Sequence, residues 1–356
     1  MEHNKRRFGT LILLTAALAA GLVALSACKQ HDVARRTVGE RAHGGGSKTI
    51  QVLFSAQANE LDLYDLTTDA MTVLIPAERN NVNGQACLLP DDGGRFLMGE
   101  DTNQKDGARQ GWMIFTSDGQ PEKKLEEPES AGEAEQIEPM GCAFGKDKQL
   151  FTSDIGTGDF GATDGKFLMF FPPDYDEACL LDIEVRTAGT IAIDDDGSVL
   201  LTESVPPGKV LRYSGPFPKD AAECGTVKPA KSTFIEDPEV GTPLGIARAP
   251  NGGWYVSSVF VPPAIREYDH DGALVRVIAE GDDIGNPAGI AVADDGTIYY
   301  ADLGLTVTET GIGPEGGKGT VRKIEFDADG NPQAPVIIGS DLDYPDAVSI
   351  LTRPAP

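Results

Sequence analysis

The sequence predicts an all-β fold made of a repeated four-stranded antiparallel unit, and three observations carry that prediction. First, one phrase recurs. "NPAGIAVADDGTIYYADLG" (286–304) has counterparts in "EPMGCAFGKDKQLFTSDIG", "TAGTIAIDDDGSVLLTES" and "TPLGIARAPNGGWYVSSV", with a looser copy in "NVNGQACLLPDDGGRFLMGED". The copies start near Gly84, Gly141, Gly189, Gly245 and Gly289, about every 50 residues, a period typical of repeat architectures. Second, each copy holds a short apolar strand, A, then an Asp- and Gly-rich turn such as Asp195-Asp196-Gly197 or Asp294-Asp295-Gly296, then a second strand, B. Such turns supply left-handed backbone at little cost and join antiparallel strands. Third, a hairpin follows. Its first strands, C, read "GWMIFT", "KFLMFF", "KVLRYS", "AIREYD" and "TVRKIEF", and its second strands, D, include "LVRVIAE" and "APVIIGS".

The last copy, "YPDAVSIL" (344–351), has Ala347 in the Gly position and supplies strand A alone. Its strands B, C and D stand at the other end, as "IQVLFSA", "NELDLYDL" and "MTVLIP". One unit is therefore closed by one C-terminal strand and three N-terminal strands, and closing the ring removes exposed edges. Six units in a ring make a six-bladed β-propeller over residues 49–356. A β-sandwich does not explain the repeated phrase. The chain has no Trp-Asp dipeptide, which excludes the blade type that carries it.

The residues before the repeat read differently. Lys5, Arg6 and Arg7 precede an apolar stretch from Phe8 to Leu25, the layout of an export signal. "LSAC", Leu25 to Cys28, puts a small residue before a cysteine and resembles the bacterial lipobox. That resemblance implies a signal over residues 1–28 and an acylated Cys28, tethering the protein to a membrane surface without spanning it. Lys29 stands where an Asp favours inner-membrane retention, so the expected place is the outer membrane, on its periplasmic or surface face. Residues 29–48, "KQHDVARRTVGERAHGGGSK", lack apolar periodicity and read as a flexible tether.

The formal charge is −26. Removing residues 1–28 takes away Lys5, Arg6, Arg7 and Glu2, so the mature chain becomes more acidic still. Such a surface repels nucleic acid and anionic lipid. The roughly 310 residues of the repeat region suffice for a large core in a monomer.

In a propeller, strand A lines a central channel. The residues just before A and just after B share one end, the usual binding face. The last residue of B, read round the ring, is Ser55, Glu100, Asp154, Glu203, Ser258 and Asp302. The residue before the Gly position is Asn83, Met140, Ala188, Leu244, Ala288 and, in the last copy, Asp346. Carboxylates converging on one mouth repel each other, and a hard cation with oxygen ligands relieves that; calcium tolerates irregular geometry. The expectation is a site for Ca²⁺ or another divalent cation drawn from Asn83, Glu100, Asp154, Glu203, Asp302 and Asp346. The competing reading is a ring of solvated acids that hydrogen-bond loop amides and shape the blade ends.

The repeat, from residue 49 to 351, resembles six-bladed propellers of the NHL-repeat type and of the gluconolactonase-like, senescence marker protein group. Gluconolactonase-like enzymes hold a metal with a Glu, two Asn and an Asp just before successive innermost strands. Here only Asn83 and Asp346 match those slots, while Met140, Ala188, Leu244 and Ala288 depart from them. The resemblance implies metal-dependent lactonase or esterase chemistry, with Glu100, Asp154 or Glu203 as candidate base.

Other chemistries are excluded by what is missing. His270, in the turn "YDHDGA", is the one histidine within the repeat, which leaves no basis for a Ser–His–Asp triad or a His-based zinc site. "GIGPEGGKGT" (311–320) fails as a phosphate loop, because Ile312 and Gly319 stand where Gly and Ser or Thr are required. It reads as a mobile loop between B and C.

Four cysteines remain beyond Cys28. Cys179 and Cys224 flank the third blade, each beside a polar insertion, and are the favoured disulfide. Cys87 and Cys142 lie three and one residues after their glycines. Both offsets are odd, so the two side chains are expected to point the same way round the ring and to stay unpaired. Three functions follow. The first is a lipoprotein binding a small-molecule ligand at its mouth, the second a metal-dependent hydrolase, and the third a scaffold for envelope proteins. A broad apolar patch on a blade rim favours the third.

Overall fold

A computed structural model describes residues 49–354 except 58–59, 77–81, 91–92, 101–110, 126–138, 157–161, 237–238, 261, 309–310 and 315–316. The lipobox, Cys28 and the tether lie outside the described residues. Among the described residues no helix is long and apolar enough to cross a membrane.

Three strands open the fold: β1 (Thr49–Gln57), β2 (Glu60–Asp65) and β3 (Met71–Ile75). Blade 1 follows, with β4 (Val82–Leu88), β5 (Phe96–Glu100), β6 (Gly111–Phe115) and β7 (Pro121–Leu125). Blade 2 has β8 (Pro139–Phe144), β9 (Leu150–Asp154), β10 (Gly165–Phe170) and β11 (Ala178–Val185). Blade 3 has β12 (Ala188–Ile193), β13 (Val199–Glu203), β14 (Lys209–Ser214) and β15 (Ala230–Ile235). Blade 4 has β16 (Pro243–Arg248), β17 (Trp254–Ser258), β18 (Ala264–Tyr268) and β19 (Leu274–Glu280). In blade 5, β20 (Pro287–Val292) and β21 (Ile298–Asp302) are followed by a separate hairpin, β22 (Leu305–Thr308) and β23 (Gly311–Pro314), before β24 (Gly319–Ile324) and β25 (Val336–Leu342). Finally β26 (Ala347–Pro354) joins β1, β2 and β3 in the order β26-β1-β2-β3.

The fold is therefore the six-bladed propeller that the repeat predicts, closed by one C-terminal and three N-terminal strands. Closure runs over the whole length of the pair, from Thr49 opposite Pro354 to Ala56 opposite Ala347. One detail differs from the expectation. The segment read as a mobile loop contributes β23 to a two-stranded hairpin, with Leu305 facing Pro314 and Thr308 facing Gly311.

Packing follows from the alternation of strand side chains, which sends neighbouring residues to opposite faces of a blade. Each seam between two blades holds its own apolar cluster. Ile290 faces blade 4 in the cluster of Tyr255 and Ile265, while Ala291 faces blade 6 beside Leu53 and Tyr64. Six such seams close the ring. A seventh cluster lies elsewhere, across the beginnings of strands A.

Candidate functional site: the central channel

Strand A of every blade contributes to a central cavity of about 460 Å³. Burial along these strands is graded. In β8, β12 and β16 the first four residues are buried and the last two half-exposed, as at Ala143 and Phe144, Ala192 and Ile193, and Ala247 and Arg248. The channel therefore opens at the end of the turns between A and B. The expectation placed the binding face at the opposite end.

That opposite end is filled among the described residues. Met140, Leu244 and Ala288, each just before the Gly position, pack with Ile155, Val259 and Leu303, each just after strand B. All six are at most 3% exposed. Phe260, Leu305 and Tyr344 pack against them half-buried. Met140, Leu244 and Ala288 come from three different blades, so their contact seals the axis of the ring. Burial of apolar side chains is favourable by roughly 1.5–3 kcal/mol each.

The acids at the ends of strands B are drawn into their own blades. Glu100 stands 3.4 Å from Lys124 on β7. Asp154 stands 3.8 Å from Lys166 on β10 and accepts the Gly156 N–H at 2.9 Å. Glu203 accepts the Arg186 N–H at 3.0 Å, with the Arg186 Nε 3.7 Å away. Asp302 accepts from the N–H groups of Asn286 (2.8 Å) and Gly304 (3.2 Å), from the Thr320 hydroxyl (3.0 Å) and from Arg322 (2.6 Å). Ser258 takes part in the same pattern, accepting from Thr242 and donating to the Phe260 carbonyl. These groups clamp the crossover into strand A and the start of the next loop. They are buried rather than solvated, from 0 to 8% exposed.

Asp346 acts across a seam. Its carboxylate accepts the Gly84 N–H at 3.0 Å, and its carbonyl accepts the Gly289 N–H at 2.8 Å, tying blade 6 to blades 1 and 5. Asn83, half-buried, pairs with Gly99 beside that contact. The structure thus brings Asp346 to the strand that carries Asn83. The other four candidates stay apart, each at its own blade. Among the described residues no three His, Cys, Asp or Glu side chains are grouped to hold a metal ion. The donor set does not fit a divalent cation at the sealed end.

Sequence reading missed a second repeated device. The residue just before the end of strand B is a hydroxyl in three consecutive blades: Ser153, Thr202 and Ser257. Ser153 accepts the Gly141 N–H of its own blade (2.9 Å) and donates to the Gly189 carbonyl of the next (2.5 Å). Thr202 donates to Leu244 in the same way (2.7 Å), and Ser257 joins Gly245 to the Ala288 carbonyl. Gly141 is required for this approach, since a Cβ there would lie 2.7 Å from Ser153 Oγ and 2.8 Å from the Gly189 carbonyl oxygen. The signal is visible in "TSD", "LTE" and "VSS".

The cysteines correct one expectation and meet another. Cys179 and Cys224 are bonded. Cys87 and Cys142 are bonded too, with Cα atoms 6.1 Å apart, against the expectation that they face the same way. The reason is a bulge. Between the pairs Val82–Glu100 and Cys87–Leu97, β4 advances five residues while β5 advances three. In blade 2 the equivalent stretch, from Pro139–Asp154 to Ala143–Phe151, advances four against three. One extra residue reverses the facing of every side chain beyond it. Cys87 therefore points forward and Cys142 back, into the same seam.

The open part of the channel carries few polar side chains. Gln85 reaches over two blades, its Oε1 accepting from the N–H of Cys142 (3.2 Å) and of Ile191 (3.4 Å). Ser349 accepts the Ala86 N–H at 3.0 Å. At the rim, Arg248 lies over the Trp254 ring at 4.6 Å and is held by Asp194 and Asp195. His270 is exposed in its turn beside Asp271.

Fold and channel together define a six-bladed β-propeller with a one-ended central cavity. No family model matches the chain, and no curated protein is similar to it in sequence. Solved structures do match. A protein of unknown function from Bacteroides caccae is 11% identical with a TM-score of 0.54, covering 85% of this chain and 99% of that one. Luciferin-regenerating enzyme is 12% identical with a TM-score of 0.50, again covering 85% and 99%. Regucalcin from Agrobacterium tumefaciens strain C58, a calcium-binding protein, is 14% identical with a TM-score of 0.49, covering 82% and 86%. The expected resemblance to the gluconolactonase-like propellers holds at the level of fold, which is as far as such identities reach.

Proposed function

We propose that this protein is an exported propeller, held at the outer membrane by an acylated Cys28, that binds a small ligand in its central channel without transforming it. The observation that carries this reading is the one-ended cavity: half-exposed side chains at the turns between A and B, and a buried apolar seal at the other end. Its size falls within the range of roughly 300–1,000 Å³ common for small-molecule sites. Thr49 starts β1 at the open end, opposite Pro354. The metal-dependent hydrolase has less support, because Glu100, Asp154 and Glu203 are buried and held within their own blades.

The test compares the whole protein with the variants A247W and C28S. Ala247 lines the channel, half-exposed, and a Trp there fills it. A thermal-shift screen of small molecules is expected to find ligands that raise the Tm of the wild type and leave A247W unmoved. C28S is expected to leave the membrane fraction. Turnover of lactones or esters with added Ca²⁺, Mn²⁺ or Zn²⁺, abolished in E100Q, would sink the non-catalytic reading.

A further inference from the structure

The large hydrophobic residues that stand most exposed are not scattered. Among the described residues, five of the eight lie on the outermost strands of blades 4 and 5: Leu274, Val275 and Val277 on β19, and Val336 and Ile337 on β25, each 42–52% exposed. Among the described residues both strands end their sheets, so each presents an outer edge with no strand beyond it. Soluble proteins normally guard such edges with charge, proline or Lys. Blades 1 and 3 do so. Pro121, Lys123 and Lys124 lie on β7, and Lys231, Ser232 and Thr233 on β15. The edges of blades 4 and 5 carry branched apolar side chains where those carry charge.

The edge of blade 4 stands beside the turn between β24 and β25 of blade 5. Arg276 on β19 donates to the Gly330 carbonyl in the turn of blade 5 at 2.8 Å, and its guanidinium lies 5.5 Å from the Phe326 ring. The cations beside this edge are paired with acids. Arg276 is already paired with Glu267 at 2.6 Å, and Lys323 with Asp69 at 2.9 Å. The turns that lead into β19 and β25 carry Asp271, Asp327 and Asp329, all exposed. An apolar edge fringed by carboxylates, with its cations neutralised, is complementary to a segment that is apolar and basic.

We propose that the outer edge of blade 4 docks an extended segment of another envelope protein, rich in β-branched residues and in Lys or Arg, added as a further strand. Its backbone meets the edge of β19, its apolar side chains stand beside Val275 and Val277, and its cations meet the Asp fringe. This surface lies on the rim, away from the channel, and does not depend on ligand binding there.

The test uses the whole lipoprotein in zwitterionic nanodiscs and three fluorescent peptides, four repeats each of Lys-Val, Lys-Ser and Glu-Val, read by anisotropy with empty nanodiscs subtracted. The Lys-Val peptide is expected to bind at least about tenfold more tightly than either other peptide. V275S/V277S, whose exposed positions leave the fold intact by circular dichroism, is expected to weaken it by about tenfold, and V336S/I337S, on the edge of blade 5, to leave it unchanged. D271N/D327N/D329N is expected to reduce the salt dependence of binding. Equal binding of the Lys-Ser peptide would make the attraction one of charge alone and overturn the proposal. So would unchanged affinity in V275S/V277S, or self-association of the protein that this variant abolishes, which would assign the surface to a second copy.

Discussion

At the scale of the residue, Asp302 shows how this protein uses carboxylates. It takes two backbone N–H groups, a hydroxyl and a guanidinium, and is 3% exposed. Gly285, at φ +71°, passes so close that a Cβ would lie 2.2 Å from Asp302 Oδ2. D302A strands Arg322 and two amides at once, and it is expected to lower unfolding stability by about 3 kcal/mol in urea titrations. Removing a solvated surface acid would change it by a few tenths. Asp182 supplies a pH dependence. Burial raises its pKa, but Lys231 and Tyr213, both bonded to it, outweigh that and hold the carboxyl below its ordinary value. Its contribution is then complete above the unfolded pKa of about 3.9 and is lost as pH falls through the lower, folded value. Acid unfolding monitored by fluorescence is expected to steepen in that window for the wild type and to flatten in D182N. The acids themselves were legible in the sequence because their position repeats. Their partners were not, since Lys124, Lys166, Arg186 and Arg322 sit at no common spacing from them.

At the scale of the element, the blades were legible because turn chemistry and alternation agree in every copy. "DDDG" and "ADDG" place A and B as antiparallel neighbours, and the pairing of β12 with β13 and of β20 with β21 follows. What was not legible is the insertion of a single residue in β4. No glycine or proline marks it apart from Gly84, which the repeat had already claimed as its starting point. The consequence is the bond between Cys87 and Cys142, which links the innermost strands of blades 1 and 2 over 55 residues. C87S/C142S is expected to lower stability by about 2–4 kcal/mol in equilibrium unfolding. The same loss under reductant in C179S/C224S, which keeps only this bridge, assigns the effect to it. The hairpin of β22 and β23 was read as a loop because its glycines mask a pattern of only four residues a side.

At the scale of the whole molecule, the ring explains why the channel could be found in the sequence while its open end could not. The repeat identifies which strands face the axis, and those are the strands that line the cavity. Which end is sealed depends on residues from three blades meeting at one point, a contact that no single copy encodes. Met140, Leu244 and Ala288 each look like an ordinary apolar residue before a glycine. Their meaning is collective.

The pairing of β1 with β26 also sets a timetable. Ribosomes deliver β1, β2 and β3 first, yet the innermost strand of that blade arrives with the last residues of the pair, at 347–354. Until then the ring has a gap and two bare edges, and contacts of such long sequence separation form slowly. The latch stays unfastened until β26 has been made, so this blade is the last to close.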